Sequence, residues 1–379
     1  MTRRHMVFSI GMIVALVFGL LAVNAKTILG EPGTRPSNST TTLVAKLPAK
    51  LLLHQIAPPT AADVVRAARE LDELPFDGIV VASEASSSVM RSVPLNDALT
   101  AQELAVLSPG MFHHLTDNFL LVYATPAGQF TDFLGTVADN FANFARHARA
   151  AGFVGLFFDV EEYFGPAWSP EVACRELSDR ICRANARNAG AAVMRALIAA
   201  WPDIKLLVTY GPSISDPRTS QALNPPTIND VSASHPLYGS FAVGLAQATV
   251  GTRAVFIDGG EVYTQNSQAD VQRTVNWLTT GMAENSPLIP SELKAQYPTL
   301  VSPSMGVFDF PEPYRGKGPG TPEMWQNDIA ITLAGVRDYA WVYAERFNWA
   351  HASRDEARQM PPPVWVAATA RGRQLGQQR

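Results

Sequence analysis

Short hydrophobic runs recur along the chain from Leu51 onward, separated by stretches whose apolar positions fall at helical spacing. The runs are apolar at nearly every position, which predicts parallel strands covered on both faces. The first is Leu51–Ile56. Thr60–Leu74 follows, with Val64, Val65, Ala68 and Leu71 on one helix face and Thr60 as its cap. Further strands are expected at Phe76–Ser83, Asn118–Pro126, Gly152–Tyr163, Ile204–Ser213, Ala254–Thr264, Ser304–Phe310 and Tyr339–Trp349. Helices are expected at Phe130–Ala151, Ala184–Trp201, Ala269–Met282 and Met324–Val336, and Pro361–Leu375 reads as a last packing helix that opens on proline. Strands and helices alternating in this way predict a single-domain α/β fold, a (β/α)8 TIM barrel. A doubly wound sheet is the rival. No glycine fingerprint follows the first strand, which removes the dinucleotide-binding form of that rival.

The first 50 residues break this rhythm. Thr2-Arg3-Arg4 is positive, Met6–Val23 carries no charge, and Val23-Asn24-Ala25 offers small residues for cleavage. That pattern predicts a signal peptide over 1–25, or an anchor if it is retained, since about 18 apolar residues can span a bilayer. Residues 26–50 are rich in Thr, Ser, Pro and Gly and read as a linker, leaving 51–379 for the barrel. A secreted or periplasmic location, with a possible membrane tether, follows from this reading. The only two cysteines, Cys174 and Cys182, are then expected to form a disulfide. Composition adds little: 47% apolar residues suffice for a large core, and a net charge of −4 without a basic run excludes a nucleic-acid surface. A monomer is expected.

A barrel of this kind carries its chemistry at the C-terminal ends of its strands. Those ends collect carboxylates and aromatic rings. The stretch GLFFDVEEYFG, Gly155–Gly165, places Asp159, Glu161, Glu162 and Tyr163 after a strand that is otherwise greasy. On an extended chain Asp159, Glu161 and Tyr163 share one face, with successive positions ~6.6 Å apart. Dryness and a neighbouring negative charge raise a carboxyl pKa, so Glu161 is expected as a general acid tuned by Asp159. Glu345 is the first choice for a second carboxylate and Asp258 the next. Tyr163, Tyr210, Trp341, Tyr343 and Trp349 are expected to stack on or border a sugar, with His54, Glu261 and Asp309 binding its polar groups. Two carboxyl groups among aromatic rings suit glycoside cleavage without a cofactor or metal. The alternatives are a carbohydrate-binding barrel without catalysis, and a metal-dependent hydrolase using His54, Asp159 and Glu161.

The stretch FDVEEY after GFVGL resembles the fourth-strand motif of the family 18 chitinases, which ends Asp-x-Asp-x-Glu. Asp159-Val160-Glu161 matches the end of that motif, and the resemblance implies that Glu161 is the acid. Phe157 and Val154 stand where the family carries further aspartates.

Overall fold

The computed structural model describes residues 47–223, 235–263, 267–309 and 320–378. The expected signal segment and most of the expected linker lie outside them. The barrel begins slightly earlier than expected: Ala49 is already buried and Lys50 opens the first strand.

Among the described residues nine strands form one sheet: β1 Lys50–Gln55, β2 Gly78–Val81, β3 Phe119–Tyr123, β4 Gly155–Asp159, β5 Lys205–Val208, β6 Val255–Asp258, β7 Val301–Pro303, β8 Gly306–Phe308 and β9 Tyr339–Ala344. Every pairing is parallel, in the order β7-β6-β5-β4-β3-β2-β1-β9-β8. The ends of that order are consecutive in the chain. β7 bonds β6 through Phe256↔Val301 to Asp258↔Pro303, and β8 bonds β9 through Gly306↔Trp341 to Phe308↔Tyr343. The seventh stave is therefore one strand broken at Ser304-Met305. The break corrects the single strand expected over Ser304–Phe310, and its first half starts earlier, at Val301. Hydrogen bonds from Ser304 N–H to Asp258 O (2.7 Å) and from Trp341 N–H to Met305 O (3.1 Å) carry the ring across it. The sheet is a curled parallel barrel of the (β/α)8 type.

Alternation sorts the strand residues into two layers. Leu52, Val80, Phe119, Leu121, Phe157, Leu207, Ile257, Tyr339 and Trp341 fill the barrel interior. Leu53, Val81, Leu120, Leu156, Phe158, Val208 and Phe256 belong to the larger core under the helices. Full burial of such side chains contributes roughly 1.5–3 kcal/mol each. The N-terminal end of the barrel is plugged by Asp117. It accepts from the Tyr339 hydroxyl (2.5 Å), pairs with Lys50, and lies 3.5 Å from the Lys205 ammonium.

The strands are shorter than expected. β4 stops at Asp159, β6 at Asp258 and β9 at Ala344, each before the polar residues that had been read as strand. The first expected helix is two short ones, Ala61–Arg66 and Ala68–Asp72, with Thr60 capping the first. The long helix Asp179–Ala200 crosses Tyr238–Gln247 at close range. A Cβ on Gly190 would lie 2.0 Å from Phe241 O, and one on Gly244 would lie 2.0 Å from Arg187 O. Cys174 and Cys182 are disulfide-bonded, tying the loop after β4 to the first turn of Asp179–Ala200. Among the described residues no helix is long and apolar enough to cross a membrane.

Gly190→Ala forces the two helices apart and is expected to cost about 1–3 kcal/mol. Urea unfolding of the variant checks this; an unchanged midpoint contradicts the close crossing.

Candidate active site

Asp159 is the last residue of β4 and shares the inward face with Phe157, so its carboxyl lies inside the barrel mouth. The chain then leaves the sheet, which ends the strict alternation expected through Tyr163. Local hydrogen bonds take over. Asp159 Oδ1 accepts the Glu161 N–H (3.1 Å), folding Glu161 back over Asp159, and the Tyr163 hydroxyl bonds the Glu161 carboxylate. Glu162 faces the other way. It accepts the Trp168 N–H (2.7 Å), while the buried Trp168 indole donates to Val160 O (2.9 Å). The loop is pinned by Glu162 and Trp168, and Glu161 is left half-exposed at the mouth.

A related arrangement recurs on β6 with one residue more. Phe157-Phe158-Asp159-Val160-Glu161-Glu162-Tyr163 has its counterpart in Phe256-Ile257-Asp258-Gly259-Gly260-Glu261-Val262-Tyr263. The extra residue is a bulge, which reverses the facing of what precedes it. Gly259 N–H donates to Val208 O (2.8 Å) and Glu261 N–H to Thr209 O (3.3 Å). Gly260 takes a left-handed φ of 53°, and a Cβ there would lie 2.4 Å from Ser304 O. Asp258 therefore shares the outer face with Phe256, and Glu261 is turned toward the mouth.

The consequence corrects the ranking of the carboxylates. Asp258 is 1% exposed, and its Oδ1 accepts from Gly211 N–H (2.8 Å) and Gly260 N–H (3.2 Å). It is a buried clamp between the β5 and β6 loops, on the wrong side of its stave for catalysis. Burial raises its pKa to about 7, against the lowering effect of those two N–H groups. Glu261 instead accepts the Tyr263 hydroxyl on Oε1 (2.7 Å) and a Tyr210 hydrogen bond, while its Oε2 is buried without a partner.

Asp309 and Trp349 are also corrected. Asp309 is fully buried, accepts the Glu345 N–H (2.7 Å) and Arg346 N–H (2.8 Å) on Oδ1, and accepts the Trp349 indole (3.0 Å) on Oδ2. It fixes the backbone that carries Glu345. Trp349 is sealed beside Phe76 (5.5 Å) and offers no face to a sugar. Trp341 is likewise 0% exposed, its indole donating to Gly259 O (2.7 Å), so it is floor and not platform.

Above that floor the rings form a wall. Tyr343 stacks with Tyr263 (6.2 Å) and Phe308 (5.5 Å), and the His54 ring lies 5.7 Å from Tyr343 and 4.5 Å from Phe157. Gly306 makes room for it, since a Cβ there would meet Tyr263 at 2.7 Å and Trp341 at 2.9 Å. Tyr263 is held at a φ of 44°, a strained conformation for a bulky residue. Burial drives the His54 pKa down to about 3, so the ring is neutral, and its Nδ1 has no partner. On the other rim Tyr123 meets Tyr163 (6.3 Å) and the exposed Phe164 (5.6 Å). Phe164, which follows the acids and Tyr163 in the sequence, joins this rim although sequence reasoning assigned it no role of its own. Tyr263 was signalled by the repeated Glu-x-Tyr.

The electrostatics draw these parts together. Burial raises the Asp159 pKa well above the usual carboxylate range, and the charge of Glu161 adds to the effect. Burial does the same for Glu261, with the charges of Glu161 and Asp159 next. The Tyr343 phenol is held protonated first by burial, then by the charges of Glu261, Glu345, Glu161 and Asp159. Four carboxylates from β4, β6 and β9 thus act on one hydroxyl. Among the described residues no group of three or more His, Cys, Asp or Glu is arranged to hold a metal ion.

The fold and site define a (β/α)8 barrel with an acidic, tyrosine-walled mouth. No protein-family model matches the chain. No curated protein matches it either. Solved structures similar to it include a GH18 chitinase from Pseudoalteromonas aurantia, at 10% identity over 86% of this chain and 100% of that one, with a TM-score of 0.42. A D-psicose 3-epimerase from Clostridium cellulolyticum H10 aligns at 10% identity over 87% and 98% of the two chains, with a TM-score of 0.43. A GH10 xylanase from Thermobacillus composti aligns at 10% identity over 86% and 96%, with a TM-score of 0.45. The barrel assignment rests on strand order and closure, not on these scores.

The buried Asp258 generates a pH prediction. Its pKa is about 7 in the folded chain against an ordinary 3.8. Between those values the folded state binds the proton and the unfolded state does not, so stability falls as pH rises through this window. Urea unfolding at pH 5 and pH 7 is expected to find the protein more stable at pH 5, and Asp258→Asn is expected to flatten the slope. Asp159 and Glu261, whose shifts have the same sign, leave a residual slope. An unchanged slope in Asp258→Asn contradicts the assignment.

Proposed function

We propose that this barrel hydrolyses a glycosidic bond in a polysaccharide or glycan, with Glu161 protonating the leaving oxygen and Glu345 acting as base or nucleophile. The observation that supports this reading is the placement at one barrel mouth of Glu161, folded over Asp159 at the end of β4, and of half-exposed Glu345 directly after β9. Glycoside cleavage needs one carboxyl that gives a proton and a second that supports the opposite face of the sugar. Glu161 and Glu345 are the two that are half-exposed and can touch substrate. Glu345 sits on backbone pinned by Asp309, and its side chain has no cationic partner among the described residues. Asp159, sealed beneath Glu161, positions it, and burial raises the pKa of this neighbouring carboxyl. The rings of Tyr343, Tyr263 and Tyr210 border one side of the sugar, and Tyr163, Tyr123 and Phe164 the other.

A location outside the cytoplasm belongs to the same proposal. It is supported by the charged and apolar pattern of the first 25 residues and by a disulfide that suits an oxidising compartment.

Glu161→Gln removes the proton while keeping the shape. Turnover is expected to fall by roughly 10²–10⁴-fold with oligosaccharide affinity kept, and Asp159→Asn is expected to shift the pH profile of kcat. A polysaccharide screen followed by kinetics on the hit checks both. Glycan binding without turnover in the unaltered protein indicates a binding barrel and overturns the enzymatic reading.

A further inference from the structure

Carboxylates grouped in a dry site ordinarily have a cation among them, because an unpaired buried charge costs several kcal/mol. Here Asp159 and Glu161 at the end of β4 bond each other, their charges reach Glu261 after β6, and among the described residues no lysine or arginine pairs with any of the three. The nearby arginines are engaged elsewhere. Arg354 pairs with Glu84, and the Arg346 guanidinium lies over the rings of Phe347 (4.9 Å) and Trp365 (4.6 Å). A second observation is independent of charge. Glu261 is 8% exposed and accepts from Tyr263 on Oε1 and from Tyr210, while its Oε2 atom is buried without a partner. Among the described residues, Glu261 Oε2 thus lacks a donor and the three carboxylates lack a lysine or arginine partner.

Resting on the glycan reading above, we propose that the bound sugar carries a free, protonated amino group, seated against Asp159, Glu161 and Glu261. An ammonium supplies three N–H donors, one for each carboxylate, and a positive charge that offsets the burial and mutual repulsion raising their pKa values. A sugar hydroxyl would satisfy one acceptor and bring no positive charge to favour the ionised carboxylates. An N-acetylated amine is neutral and bulkier, and would leave the carboxylates as they are. The wall beside Glu261 also suits a cation: Tyr263, Phe308 and Tyr343 lie 5.3–6.2 Å apart, and ring faces attract positive charge. An amine on the carbon next to the anomeric centre would lie within reach of the carboxylates assigned to the chemistry. The substrate class is then a polysaccharide of amino sugars whose amines are at least partly unacetylated.

The test is calorimetric binding of matched oligosaccharides, in gluco and galacto configuration, carrying an amine, an N-acetyl group or a hydroxyl at that carbon. The aminated oligomers are expected to bind at least roughly tenfold more tightly than either counterpart. That preference is expected to shrink with added salt and to be lost in Glu261→Gln. The salt dependence needs no variant, so a poorly folded Glu261→Gln does not decide the result. Equal or tighter binding of the acetylated or hydroxyl forms overturns the amine and leaves the glycan site standing. Failure of every oligomer to bind overturns both.

Discussion

Everything at the mouth of this barrel follows from one constraint: carboxylates are brought close together where water is scarce, and among the described residues no lysine or arginine pairs with them. The opposite end of the barrel shows the ordinary solution. There Asp117 is also buried, which alone would raise its pKa, but hydrogen bonds from Lys50 and Tyr339 and the Lys205 charge pull it below the usual range. At the mouth, Asp159 and Glu261 have only N–H and hydroxyl donors, and burial together with the neighbouring carboxylate charges pushes their pKa values up. The same residue type, buried in the same barrel, thus has its pKa lowered at one end and raised at the other. A protonated carboxyl beside an accessible one is a useful pair for moving a proton to a leaving group.

The fold supports that arrangement at some distance. The loop that carries Glu161 is fastened by Glu162 to Trp168 and by the disulfide to the helix beyond. The backbone that carries Glu345 is fastened by Asp309. Glu261 owes its direction to two glycines, one of which must take a left-handed turn between Asp258 and the strand edge. In each case a buried polar residue or a glycine fixes the backbone, so the acid itself is left without structural duty.

Much of this was legible in the chain. Continuous apolar runs marked the parallel staves, and the acids after Phe158 marked the mouth. What was hidden is the facing of residues beyond the strands. Period-two counting fails once a bulge adds a residue, so Asp258 and Asp159 look equivalent in sequence and point to opposite sides of the sheet. Asp309 and Trp349 were misread for a related reason. A carboxylate and an indole that satisfy each other can be buried together, and no sequence pattern separates such a pair from an open site. The split seventh stave was hidden because Val301-Ser302-Pro303 is too short and polar to stand out, and Pro303 has no N–H to give a ladder.

Infrared difference spectroscopy of the purified protein at neutral pH, unaltered against Asp159→Asn, tests the constraint directly. The account predicts a protonated-carboxyl stretch in the unaltered protein that the substitution removes. A spectrum in which every carboxyl at the mouth is ionised would contradict it.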